Sequence, residues 1–97
     1  MAEELHYDVT TARGDFIRVR LSGSAANVLV MEDGEYENYR NGRTYNYYGG
    51  YYTRTPVIIR PGVYGKLNVV INLGGLPGSV SAVVHVVTPG RRSRGRR

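Results

Sequence analysis

The stretch Leu67-Asn68-Val69-Val70-Ile71-Asn72-Leu73 decides the fold. Leu67, Val69, Ile71 and Leu73 take every second position, with Asn68, Val70 and Asn72 between them. A period of two is the signature of a strand with one face against a core. The same rhythm recurs in both directions from there. Val80, Ala82, Val84 and Val86 alternate with Ser81, Val83, His85 and Val87, and Ile17, Val19 and Leu21 alternate with Arg18 and Arg20. Ala26, Val28 and Val30 alternate with Asn27, Leu29 and Met31. Leu5, Tyr7 and Val9 against His6, Asp8 and Thr10 add a first strand, and Val57 to Arg60 is the end of another. No window of helical length carries a clean apolar stripe of helical period.

Turn residues punctuate these runs. Arg13-Gly14-Asp15 precedes the second strand, Ser22-Gly23-Ser24 joins the second to the third, Pro61-Gly62 the fourth to the fifth, and Gly74-Gly75-Leu76-Pro77-Gly78 the fifth to the sixth. The pattern predicts an all-β domain: a small antiparallel β-sandwich or barrel of about six strands, laid out as a meander. One segment interrupts it. From about Asp33 to Thr55 there is no sustained alternation, and this long insertion holds seven of the nine tyrosines. Within it Glu35 to Arg40 predicts a single helical turn with Tyr36 and Tyr39 on one face, stopped by Asn41-Gly42.

At 97 residues the chain is one domain's worth, long enough to bury roughly 65% of the surface it exposes unfolded. Residues 1–88 make the β domain and residues 89–97 an Arg-rich tail, whose composition predicts disorder. Of thirteen basic residues, Arg91, Arg92, Arg94, Arg96 and Arg97 lie in that tail. The other eight balance eight acids, so the folded part is neutral in sum and offers no evident basic face. Without cysteine there is neither a disulfide framework nor a thiolate metal site. The acidic start Met1-Ala2-Glu3-Glu4 is unlike a signal peptide, and the apolar runs are too short to span a bilayer. These features predict a cytoplasmic protein with no membrane insertion.

The densest chemistry is Tyr45-Asn46-Tyr47-Tyr48-Gly49-Gly50-Tyr51-Tyr52. Tyrosine offers a large ring of low entropy with a polar tip, which suits recognition. The glycine pair reads as a hairpin turn with flanking rings in cross-strand pairs. Tyr48 and Tyr51, on either side of it, and Tyr47 beside them are the residues for ligand or partner binding. Arg43 is the choice for a charged ligand, and the tail arginines 91, 92, 94, 96 and 97 for a weak contact with nucleic-acid phosphates. Glu32, Asp33, Glu35 and Glu37 lack the spacing of a calcium loop, and His6 and His85 lie on the polar sides of their strands. No metal site or cofactor is implied. There is no nucleophile elbow, Walker loop or dinucleotide fingerprint. The expectation is a non-catalytic binding or sensing module acting on an unidentified protein or small ligand. The alternatives are a nucleic-acid-associated protein acting through its tail, and a homo-oligomeric subunit whose tyrosine surface is an interface.

Leu5-His6-Tyr7, Leu21-Ser22-Gly23, Ala25-Ala26-Asn27-Val28, Asn38-Tyr39, Asn41-Gly42-Arg43, Tyr47-Tyr48-Gly49-Gly50 and Leu73-Gly74-Gly75 occur in that order. With them the chain resembles a bacterial domain-of-unknown-function family over about residues 5 to 87. The resemblance implies a small, mostly β domain, found alone or in front of a TIR domain, and suits a recognition or regulatory module. It implies no catalytic residue, and the Arg-rich tail is outside its pattern.

Overall fold

A computed structural model describes residues 4–90, so the calls on the tail arginines lie outside the described residues. Strand β1 (Glu4–Thr11) is followed by β2 (Phe16–Gly23), β3 (Ala26–Met31), helix α1 (Asp33–Arg40), β4 (Tyr48–Tyr52), β5 (Val57–Ile59), β6 (Gly65–Asn72) and β7 (Val80–Val87). The strands form two antiparallel sheets, one ordered β1-β6-β3-β4 and the other β5-β2-β7. The alternating segments do become strands, and the architecture is a sandwich rather than a closed barrel.

Two expectations are corrected. Seven strands rather than six are present among the described residues, because Tyr48–Tyr52 is a strand. Nor is the layout a meander. Consecutive β2 and β3 lie in different sheets, and β1 finds its partner in β6 and β2 in β7. The Ser22-Gly23-Ser24 segment therefore carries the chain across the sandwich instead of turning a hairpin. Ser24 N donates to the Ser79 carbonyl at 2.8 Å there, and the backbone of Gly23, at φ 100°, approaches that carbonyl too closely for any side chain.

The core between the sheets is aliphatic. Ile17 and Val19 of β2, Val28 and Val30 of β3, and Leu67, Val69 and Ile71 of β6 are all fully buried. The β6 alternation explains half of this strand. Val70, on the opposite face, is buried too, together with Leu29 and Met31 of β3. These three break strict polar alternation because the outer face of the four-stranded sheet is not in water. Helix α1 and the chain after it lie over that face and bring Tyr36, Tyr39 and Tyr45 against it.

Candidate functional site

The tyrosine-rich segment begins with α1. No side chain caps its first turn, but Asp33 and Glu35 sit there and Arg40 sits in its last turn, charges that complement the helix dipole. Its end is a Schellman closure: Arg43 N donates to the Asn38 carbonyl at 2.9 Å and Gly42 N to the Tyr39 carbonyl at 3.3 Å. Gly42 supplies the left-handed residue, φ 73°. The helix is about two turns long, Asp33–Arg40, rather than the expected single turn, and it ends at the expected stop.

From the helix an aromatic ladder runs along the sheet. His6 stacks on Tyr36 with ring centroids 4.2 Å apart, Tyr36 lies 6.2 Å from Tyr39, Tyr39 meets Tyr45 edge-on at 5.1 Å, and Tyr45 lies 5.6 Å from Tyr47. Polar atoms beneath it are paired. His6 Nε2 donates to Asn68 Oδ1 at 2.9 Å, and the nearly buried Asn68 gives its amide protons to Asp33 Oδ1 at 2.8 Å and the Met31 carbonyl. Tyr39 donates to Glu4 Oε1 at 2.6 Å and accepts from Asn72 Nδ2 at 3.0 Å. Burial, reinforced by the Glu4 carboxylate, holds the Tyr39 phenol far above the ordinary tyrosine pKa. Beyond the helix, Asn46 donates its backbone N–H to Glu35 Oε1 at 2.8 Å. That bond, with a second from the Asn46 side chain, lowers the Glu35 pKa from its usual value. Tyr36, Tyr39 and Tyr45 are therefore roofing for the sheet.

Gly49 and Gly50 do not make a turn, which corrects the hairpin reading. Both lie inside β4, opposite Leu29 and Val28 of β3. Gly49 has φ 122°, and a Cβ on it would run into the Val28 carbonyl oxygen; only glycine lets the strand close on β3 at that point. The residues singled out for binding are thereby separated. Tyr48 pairs across from Val30, on the core side, and its hydroxyl lies close to where a side chain on Gly62 would begin. Tyr51 pairs across from Asn27, on the helix side. Both stay substantially exposed, at 39% and 56%, as does Tyr47 at 47%. Tyr52 turns back onto the core. Arg43 is tied through Nε to Asn38 Oδ1 at 3.1 Å, and none of its contacts among the described residues is with these tyrosines. Arg40, which also interleaves with the rings, lies over Tyr36 at 5.7 Å.

β4 is the outer strand of its sheet, so one of its backbone edges is unpaired among the described residues. Beside it opens a cleft of about 300 Å³ lined by Met31, Glu32, Glu35, Asn46, Tyr47 and Tyr48. Charges are mixed on the helix side, where Arg40 lies 3.5 Å from Glu37 and Lys66 3.7 Å from Asp33. Arg18 and Arg20 project from the outer side of the three-stranded sheet, where Arg18 Nη2 lies 3.4 Å from Nδ1 of His85. Six of the acids, Glu4, Asp8, Glu32, Asp33, Glu35 and Glu37, lie on β1, at the start of α1 or within it. Alternation alone places Arg18 and Arg20 outward; what it does not show is that no layer among the described residues covers that sheet.

A seven-stranded antiparallel sandwich, roofed on one sheet by a short helix and tyrosines, defines the class of protein. The chain belongs to the family described as Domain of unknown function (DUF1883), whose sequence profile matches residues 3–90. No curated protein and no solved structure matches it significantly.

Proposed function

We propose that this domain is a non-catalytic recognition module that captures an extended peptide segment of a partner protein by adding it as a strand to β4. The observation that carries the reading is the pair of exposed rings on opposite faces of one edge strand. A peptide pairing with the free edge of β4 places alternate side chains on the two faces of the sheet, where Tyr48 would grip one set and Tyr51 the other. Gly49 and Gly50 between them leave the backbone unshielded. Glu32 at the neighbouring cleft favours a peptide with a lysine or arginine in that register. Of the other outer strands, β5, with three residues, is too short to serve, β1 has its outward residues Glu4 and His6 engaged by α1, and β7 carries no tyrosine on either face. The bacterial family resemblance, with members alone or ahead of a TIR domain, supports a recognition role in the reducing cytoplasm.

The test is selection from a random displayed-peptide library, followed by mapping of amide shifts on the labelled domain. Enriched peptides should perturb residues 48–52. Tyr51→Ala should weaken them about 5- to 30-fold, the 1–2 kcal/mol scale of an exposed aromatic anchor, with the thermal midpoint within a few degrees of wild type. Shifts confined to other strands, or unchanged affinity in Tyr51→Ala, would refute the mode.

A further inference from the structure

A second, wider concavity lies elsewhere. At one end of the sandwich a cleft of about 560 Å³ opens between the β1–β2 turn and the β5–β6 connection, with Arg13 and Asp15 on one wall and Arg60, Gly62 and Tyr64 on the other. Its volume is within the range of small-ligand sites. Each arginine is laid over an aromatic ring, Arg13 over Tyr64 at 5.8 Å and Arg60 over Phe16 at 4.6 Å. Stacking occupies the flat face of a guanidinium and leaves its in-plane N–H groups free. Neither arginine has an ion-pair partner among the described residues. Asp15, the acid on the wall, is already committed: Oδ2 accepts from Ala12 N and Oδ1 from the Thr88 hydroxyl, both at 2.8 Å. Two oriented cations thus face the cleft against one carboxylate whose oxygens are in use.

We propose that this cleft binds a phosphomonoester, with Arg13 and Arg60 as the paired anion clamp and the exposed ring of Tyr64 beside the ester group. Two forks on opposite walls need more acceptor oxygens than one carboxylate supplies. A phosphate dianion offers three terminal oxygens and can be shared between them. Gly14, at φ 88°, keeps its loop free of a side chain at the approach. The cleft shares no lining residue with the one beside β4.

The experiment titrates the labelled full-length chain with inorganic phosphate, adenosine monophosphate, adenosine and acetate. Saturable shifts at Gly14, Gly62 and Tyr64 are expected with the two phosphate probes, and tighter binding for the monophosphate. Arg13→Ala combined with Arg60→Ala should weaken both phosphate probes at least 10-fold with the fold intact by circular dichroism. Arg60→Lys, which keeps the charge and loses the fork, should fall between. If the double variant loses its fold, the Arg60→Lys comparison decides alone. No saturation at millimolar phosphate, equal binding by adenosine or acetate, or unchanged affinity in the arginine variants would each overturn the proposal.

Discussion

Replacing Gly49 by alanine isolates the most demanding contact in the tyrosine-rich half. The perturbation adds one methyl group, but at φ 122° and against the backbone carbonyl of Val28, which cannot rotate away as a side chain can. Holding a non-glycine residue in such a conformation costs about 1–3 kcal/mol. The collision also forces β4 away from β3, and losing one or two ladder hydrogen bonds adds about 1 kcal/mol each. The expected destabilisation is therefore about 3 kcal/mol, a large share of the roughly 5–15 kcal/mol of a domain this size. At about 4–8 °C per kcal/mol it lowers the melting temperature by some 12–24 °C. Gly50→Ala is the control. Its added methyl meets nothing within 4 Å and its φ is not positive, so its stability should stay within about 0.5–1 kcal/mol of wild type. Urea unfolding followed by circular dichroism and tyrosine fluorescence measures both. If Gly49→Ala and Gly50→Ala come out alike, the close approach of β4 to Val28 is wrong, and with it the edge strand on which peptide capture depends.

Tyr39→Phe removes a hydroxyl that bonds both Glu4 and Asn72 and should cost about 1–2 kcal/mol without changing the fold. The elevated Tyr39 pKa means that its contribution is complete below the usual value of 10.0 and is lost as pH rises beyond it. In urea titrations the gap between wild type and variant should therefore narrow above that pH, and a constant gap would contradict the buried phenol. Glu35 has the opposite sign: its lowered pKa gives a contribution present above the usual 4.5 and lost as pH falls through the folded value. The amide proton of Asn46 should report this as a shift with a midpoint below 4.5 that disappears in Glu35→Gln, and a pH-independent amide would show that the bond is absent.

The strands that alternate cleanly, such as Ile17 to Leu21 and Val80 to Val86, are readable from sequence because one side of each meets the core and the other meets water. Val70, Leu29 and Met31 carry the signal of a second covered face, and it takes the helix to show what covers them. β4 is invisible to periodicity. Its residues are tyrosines and glycines, so the pairing with β3 rests on backbone geometry at Gly49 rather than on hydropathy. Exposure of Tyr47, Tyr48 and Tyr51 follows from the same strand, as does their division between two faces, since opposite sides of a strand are set by register and not by proximity in the chain. The Arg13 and Arg60 cleft is illegible for another reason. It joins two turns far apart in sequence, and Arg13-Gly14-Asp15 by itself reads only as a turn.

Strand order also dictates when this protein can fold. β1 pairs with β6, and β2 pairs with β5 and β7, so a nascent chain that has just released its first two strands holds nothing for either to bond. Both wait, with Ile17 and Val19 unsheltered, until the ribosome has delivered the second half. At about 5–20 residues per second that interval lasts on the order of several seconds. Completion of the sandwich therefore waits for β6 and β7, and any chain interrupted before Gly65 is left with β1 unpaired.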